Sequence, residues 1–265
     1  MKPSITLGQY FPGSSLLHRL NARFKLLLLL LFLVLLFLVE TFAGLGLLLG
    51  LLLLLAALTR IPFSYLLRGL KPIFYIVVLT LIVYFFFSRG GVVLLRLGPV
   101  TVESQGVVQG LFIVGRLVII VLATMLVTLT TTPLNLTYGL ESFLKPLRLV
   151  KVPVAEIAVI MTIALRFIPT LMEESQRIMK AQEARGADFE SGSLWRRARA
   201  MTPLIVPLFV SAFRRADELA LAMEARGYRV GAERTRMHQD PVTARDWLAL
   251  LFLALLFAGI VIAGI

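Results

Sequence analysis

The sequence predicts an all-α integral membrane protein with about five transmembrane helices and long amphipathic cytoplasmic helices. Three observations support this class: 58% of the 265 residues are hydrophobic, the mean hydropathy is +0.90, and long apolar runs alternate with short basic loops. A soluble domain of this size cannot bury so much apolar surface, so much of it must face lipid. The chain has no cysteine, which excludes disulfides, thiolate catalysis and cysteine metal sites.

Five apolar runs predict the membrane spans. The second is short for a span of roughly 20 residues. The fourth contains Arg116, which we expect to face the helix bundle or to snorkel toward an interface. Gly106, Gly110 and Gly115 in the same run predict close helix packing. No small-residue cleavage site follows the first run, so we interpret it as an uncleaved helix and not a signal peptide. The first four runs cover 24–42, 45–58, 72–87 and 106–131, and the last begins after Arg245-Asp246-Trp247 and extends to residue 265.

Basic residues in the loops predict the orientation. Lys2, Arg19 and Arg23 precede the first run and Lys25 lies at its start. Arg60, Arg68 and Lys71 separate the second run from the third, whereas the loop between the first two has no basic residue. The positive-inside rule therefore places the N-terminus, the loop at 59–71 and residues 133–245 in the cytoplasm. The net charge of +12 is explained by this placement beside anionic lipid, without nucleic acid as a partner. The predicted domains are an N-terminal membrane domain (1–132), a cytoplasmic helical domain (133–244) and a C-terminal transmembrane helix (245–265).

The cytoplasmic domain is rich in charge but contains two apolar stretches, 152–172 and 201–213. One interpretation makes each of them a further transmembrane helix. Glu156 and Arg166 lie within the first stretch, and the second is only about 13 residues long with two prolines inside. Such lengths and charges favour buried or interfacial helices over spans.

The same domain contains an internal repeat. Residues 181–186 (AQEARG) are echoed by residues 222–227 (AMEARG), and each copy reads as an apolar half, a charged half and then Ala-Arg-Gly. The glycines predict helix ends, because glycine readily takes the left-handed conformation of the C′ position. Each helix would end in an arginine beside small residues, and a planar guanidinium can form a bidentate pair with a carboxylate.

A single such helix end has a simpler interpretation. Arginine in the last turn interacts favourably with the helix dipole, and a glycine after it is ordinary. Two copies at the ends of similarly built helices indicate instead two equivalent contacts with a partner that has two similar halves. The candidate binding residues are Ala184, Arg185, Gly186, Ala225, Arg226 and Gly227.

Catalytic and metal chemistry are not predicted. The sequence has no G-x-x-x-x-G-K-[ST] phosphate loop, so we do not expect the chain to hydrolyse ATP by itself. His18 and His238 are far apart, and we expect neither a metal site nor a cofactor. The acidic pairs at 173–174 and 217–218 are interpreted as solvated helix faces, because adjacent carboxylates on a helix point apart.

From Thr132 to Tyr228 the sequence resembles the transmembrane coupling subunit, or T component, of energy-coupling factor transporters. The N-terminal spans match this family only in their apolar character. The resemblance rests on Thr132-Pro133, Gly139-Leu140, Pro146-Leu147, Pro153 with Glu156, the run from Ala164 to Pro169, and the two Ala-Arg-Gly motifs.

The resemblance implies a non-catalytic subunit in the inner membrane of a bacterium. It implies two ATPase subunits, identical or different, one bound to each Ala-Arg-Gly motif. It also implies a membrane-embedded S component that captures a vitamin or a transition-metal ion. Long cytoplasmic coupling helices would transmit ATP-driven movement to the S component, and Arg185 and Arg226 would pair with carboxylates in clefts of the ATPases.

Two other function classes are compatible with the composition. A membrane-embedded lipid-modifying enzyme would require clustered catalytic or metal-binding residues near the bilayer, and the sequence shows no such cluster. A self-contained permease of an ordinary ABC importer would contain its own substrate path, which spans so poor in polar residues disfavour. Substrate binding by a separate subunit would distinguish a T component from such a permease.

Overall fold

The computed structural model describes residues 10–97, 100–189, 191, 193–231 and 241–263. These residues fall into two compact units. We call the one within Met1–Ser142 and Gln239–Ile265 the bundle unit, and the one within Phe143–His238 the repeat unit. The α-helices of the described residues are α1 (Leu16–Arg19), α2 (Ala22–Leu38), α3 (Phe42–Leu58), α4 (Phe63–Leu70), α5 (Phe74–Phe87), α6 (Ser104–Thr130), α7 (Pro133–Leu144), α8 (Val154–Ala184), α9 (Leu194–Ala200), α10 (Thr202–Ala225) and α11 (Ala244–Ala263).

The predicted all-α membrane class is confirmed. Among the described residues, four helices are long and apolar enough to cross a membrane: Phe63–Phe87, Ser104–Thr130, Val154–Ala184 and Ala244–Ile262. Helix α3 is apolar but shorter. Helix α5 has no buried residue, and its large apolar side chains, such as Tyr75 at 80% exposure, are typical of a surface that faces lipid.

In the bundle unit, α2 and α6 run antiparallel. The Lys25 ammonium near the start of α2 donates to the Thr130 carbonyl at the end of α6 (2.9 Å). The Arg116 guanidinium in the middle of α6 donates to the Val39 carbonyl just beyond α2 (2.6 Å). The buried Lys25 and the half-buried Arg116 therefore each satisfy a carbonyl at the end of the neighbouring helix, which lacks a partner within its own helix.

Helices α2 and α11 begin on the same face of the bundle unit. The Asp246 carboxylate is completely buried in the first turn of α11. It accepts hydrogen bonds from the backbone N–H of Thr243 (2.7 Å) and from that of Asn21, the N-cap residue of α2 (2.8 Å). One carboxylate thus satisfies orphan donors at the starts of two helices.

The hydrophobic core of the bundle unit lies among α2, α3, α4, α6 and α11. Glycines allow α5 and α6 to approach closely, because a Cβ on Gly106 would lie 2.5 Å from the Tyr84 carbonyl oxygen and one on Gly110 3.1 Å from the Tyr84 Cβ. Close packing is thus confirmed at these two glycines but not at Gly115, where a Cβ would meet Leu45 at an ordinary 3.7 Å. The buried core residues are Phe32, Leu35, Leu36, Val39, Leu45, Leu48, Leu52, Ala56, Ile61, Leu66, Ile119, Ala123, Leu126, Leu129, Leu253 and Ile260.

Three boundaries differ from the sequence prediction. The first apolar run, predicted to reach residue 42, ends as a helix at Leu38, and Thr41 caps the next helix through the Gly44 N–H (3.2 Å). The loop predicted at 59–71 contains α4, which continues into α5 because Pro72 lies in a 3₁₀ turn that does not need its missing N–H. The loop before α6 contains an antiparallel hairpin, β1 (Val93–Leu97) and β2 (Val100–Glu103).

The repeat unit consists mainly of α8, α9 and α10. The apolar stretch 152–172 lies in the first half of α8, and the stretch 201–213 lies mainly in α10. Helix α8 is long and apolar enough to span a membrane. An interfacial helix with one apolar half can have the same length and composition. The interfacial placement of α8 therefore stays a prediction.

Candidate functional site

Helix α8 ends at the first Ala-Arg-Gly motif in a Schellman cap. Gly186 takes a φ of +87°. Its N–H donates to the Glu183 carbonyl (2.9 Å), and the Ala187 N–H donates to the Gln182 carbonyl (3.0 Å). This pair of hydrogen bonds satisfies two carbonyls at the helix end and requires a left-handed residue at the glycine position. Arg185 is thereby held as the C-cap residue.

Helix α10 ends at the second motif in the same way. Gly227 has a φ of +74°. Its N–H donates to the Glu224 carbonyl (2.9 Å), the Tyr228 N–H donates to the Met223 carbonyl (2.9 Å), and Arg226 is the C-cap residue. The helix ends predicted from the two glycines are confirmed in both copies.

Both motifs are open to solvent. All six candidate binding residues, from Ala184 to Gly186 and from Ala225 to Gly227, are exposed. A Cβ on either glycine would meet no atom within 4 Å. Each motif therefore presents an arginine on a helix end of defined backbone geometry, with free space around it.

The two motif helices run antiparallel. The Glu174 carboxylate of α8 accepts a hydrogen bond from the Ser211 hydroxyl (2.6 Å) and another from the Arg215 guanidinium of α10 (2.9 Å). An apolar cavity beside this contact is lined by residues that precede Glu174 in α8 and by residues that follow Ser211 in α10. Only opposite chain directions bring these two sets together. The apolar lining is Ile163, Phe167, Leu171, Ala212, Ala216, Leu219, Ala220 and Met223.

A second contact supports the same direction. The half-buried Glu156 lies in the first turn of α8, and its carboxylate accepts a hydrogen bond from the backbone N–H of Gly231 (2.9 Å). Gly231 follows the end of α10, so the end of α10 lies near the start of α8. The two Ala-Arg-Gly ends therefore lie at opposite ends of the helix pair.

The acidic pairs were predicted to be solvated. This is correct for Glu173, Asp217 and Glu218, which are exposed, but wrong for Glu174. Glu174 is half-buried because it lies on the face of α8 that meets α10, where Arg215 and Ser211 are its partners. No local sequence pattern indicates this pairing, since the partners lie 37 and 41 residues away.

Within the described part of the chain, no group of three or more His, Asp or Glu side chains could hold a metal ion. The His18 ring is hydrogen-bonded to the Ser15 hydroxyl (2.7 Å) and to the Phe11 carbonyl (2.9 Å). His238 lies outside the described residues. Arg116 faces the bundle, one of the two predicted placements, with its guanidinium 4.9 Å from the Phe112 ring centre. Sequence reasoning missed the buried roles of Lys25 and Asp246, which follow from contacts over 100 residues apart.

Comparison with known proteins identifies the family. Residues 13–238 match the family model described as "CbiQ: Cobalt transport protein". A protein of Brevibacillus brevis, described as energy-coupling factor transporter transmembrane protein EcfT, is 51% identical over 246 residues and covers 93% of each chain. Proteins of the same description from Thermosediminibacter oceani and Bacillus subtilis are each 49% identical, over 93% and 96% of each chain respectively.

These matches extend over almost the whole chain, so they include the bundle unit as well as both Ala-Arg-Gly ends. The apolar helices and the family assignment agree that the protein is a membrane subunit of a transporter. The resemblance inferred from the sequence is thus confirmed: the chain belongs to the CbiQ/EcfT family of energy-coupling factor transporter transmembrane proteins.

Proposed function

We propose that this protein is a non-catalytic subunit that couples two separate ATPase subunits to uptake of a vitamin or metal ion held by a membrane-embedded S component. The observation that supports the proposal most strongly is the repeated Ala-Arg-Gly end. Two exposed, identically capped arginines lie at opposite ends of one antiparallel helix pair. Two equivalent contacts at a distance suit a partner that consists of two similar subunits.

The chemistry of each end suits a carboxylate of the partner. A guanidinium offers five donors in a planar fork, which matches the two oxygens of a carboxylate. The helix dipole favours positive charge at this end, and the Schellman cap fixes the backbone of the arginine. Ala184 and Ala225 precede the arginines and add only a methyl group, which leaves room for a second backbone to approach.

The two long helices suit the transmission of force. Helix α8 has 31 residues and α10 has 24, so they are about 46 and 36 Å long. Their apolar halves expose large side chains, including Ile160, Phe209 and Phe213. We assign this apolar surface to contact with the S component, and the arginine ends to contact with the ATPases.

We place the arginine ends in the bacterial cytoplasm, below the inner membrane. The starts of α2 and α11 and the end of α6 share one face of the bundle unit, and the basic residues Arg19, Arg23 and Lys25 lie at or near the start of α2. The positive-inside rule assigns this face to the cytoplasm. The segment 133–244 connects α6 with α11 and therefore starts and finishes on that side, as the predicted domain division requires.

Purification of the tagged protein from its own host in mild detergent tests the proposal. The wild-type protein should co-purify with two ATPase subunits and a small membrane protein. The double variant Arg185→Glu/Arg226→Glu should lose both ATPases, because the carboxylate proposed in the cleft of each ATPase would then face another negative charge. Arg177→Glu is a matched control, since Arg177 is an exposed arginine of α8 away from its end. Retention of both ATPases by the double variant would refute the assignment.

A further inference from the structure

A small polar cluster joins α8 to α10. Glu174 receives one hydrogen bond on each carboxylate oxygen, from the Ser211 hydroxyl at 2.6 Å and from the Arg215 guanidinium at 2.9 Å. Ser211 and Arg215 are one helical turn apart and therefore lie on the same face of α10. The Glu174 side chain is 24% exposed and that of Arg215 is 37% exposed.

The surroundings of this cluster are apolar. Ile163, Phe167 and Leu171 of α8 and the alanines 212, 216 and 220 of α10 line a cavity of about 260 Å³ beside it. Apolar contact is non-directional and depends mainly on buried area, so an imperfectly filled surface of this kind leaves several registers and crossing angles of similar energy. A carboxylate that accepts two hydrogen bonds from adjacent turns of the partner helix selects one register and one crossing angle.

The location of the cluster ties it to both arginine ends. Glu174 and Arg215 are 41 residues apart, which is the offset of the repeat. Each therefore lies eleven residues before the arginine of its own copy, Arg185 or Arg226. This length of helix is about 16 Å, so a rotation of roughly 10° at the cluster displaces each end by about 3 Å.

We propose that Glu174, Ser211 and Arg215 are positioning residues that fix the register and crossing of α8 and α10, and thereby the separation of the two Ala-Arg-Gly ends. This inference rests on the proposed function, because the separation has a consequence only if both ends engage ATPases. The cluster keeps the two Ala-Arg-Gly ends at the separation at which movement of both ATPases drives the same helix pair. A partly exposed ion pair contributes little to stability, so its loss affects spacing and coupling without unfolding the chain.

The separation of the ends can be measured directly. The chain has no native cysteine, so Lys180→Cys and Leu221→Cys provide two exposed labelling sites at equivalent positions of the repeat. Pulsed electron spin resonance on the full complex in nanodiscs then gives the distance distribution between the two helices. We expect one narrow distribution in the wild-type background and a broader or displaced one in Glu174→Gln. Glu173→Gln, the exposed neighbour, serves as the matched control and should match the wild type.

The same variants should separate coupling from assembly. Glu174→Gln should retain both ATPases in the pull-down but lower the substrate imported per ATP hydrolysed by roughly three- to tenfold. The reversed pair Glu174→Arg/Arg215→Glu should restore both the distance distribution and the coupling ratio. An unchanged distance or an unchanged coupling ratio in Glu174→Gln, or no restoration by the reversed pair, would overturn the inference. If the wild-type protein itself does not co-purify with ATPases, the proposed function is overturned instead.

Discussion

The two copies of the repeat end alike but are anchored differently. Both helices end in a Schellman cap with an arginine at the C-cap position, and a Cβ added to either glycine would lie in open space. After the second copy, however, the chain returns to α8, where Glu156 binds the N–H of Gly231. The position 41 residues after Glu156 is Arg197, an exposed cation of α9. Local sequence thus determines the shared cap, and tertiary contacts distinguish the copies.

The largest expected effect tests whether the two arginines are equivalent. If each guanidinium pairs with a buried carboxylate of an ATPase, reversing its charge removes an interaction whose loss costs roughly 3–5 kcal/mol. Arg185→Glu and Arg226→Glu should each lower substrate uptake by cells more than roughly 100-fold. Substantial uptake with only one of the two reversed would show that the copies are not equivalent.

Arginine geometry gives the next largest effect. Lysine keeps the charge but lacks the planar fork, so Arg185→Lys and Arg226→Lys should each weaken ATPase binding about tenfold. Titration of purified ATPase onto the membrane subunit in nanodiscs measures this loss. Arg177→Lys on the exposed face of α8 should change nothing, and equal affinities for all three variants would exclude a bidentate contact.

The glycines test the shared cap. A Cβ at Gly186 or Gly227 meets no neighbouring atom. Gly→Ala should therefore destabilise each cap only by the energy of placing an alanine in the left-handed conformation, about 1–2 kcal/mol. The loss of ATPase affinity should be similar in the two copies, and Gly→Asn, which tolerates this conformation better, should lose less. A large difference between the two Gly→Ala variants would contradict equivalent caps.

The smallest expected effect concerns the anchor of the second copy. Glu156→Ala removes the acceptor of the Gly231 N–H, a half-exposed hydrogen bond worth about 0.5–1.5 kcal/mol. Hydrogen exchange should accelerate in the segment after α10 and stay unchanged at the end of α8. Glu173→Ala, an exposed glutamate of the same helix, is the control. Equal acceleration at both ends would contradict an anchor specific to the second copy.

The features that sequence predicted correctly are those set by short-range patterns. The glycine after each arginine sufficed to predict both helix ends, because the cap involves residues within five positions of one another. Hydropathy gave the membrane class for a similar reason, since each span is one continuous segment. The Ala-Arg-Gly motifs gave the candidate binding residues, whose role as ATPase contacts stays a prediction.

The features that sequence missed depend on contacts between distant segments. Glu174 resembles any other glutamate on a charged helix until Ser211 and Arg215 are brought against it. Lys25 and Asp246 lie in segments that read as flanks of membrane spans, yet both are buried because each binds a helix end far away in the chain. The pairing of helices, and with it the buried polar contacts, requires the tertiary fold.

Counting the ATPases bound to each complex tests the central claim most directly. Native mass spectrometry of complexes released from mild detergent resolves the number of ATPase subunits per membrane chain. We predict two for the wild-type protein, one for Arg185→Glu, one for Arg226→Glu and none for the double variant. Two ATPases on the double variant, or a single ATPase on the wild-type chain, would contradict an arrangement in which each Ala-Arg-Gly end holds its own ATPase.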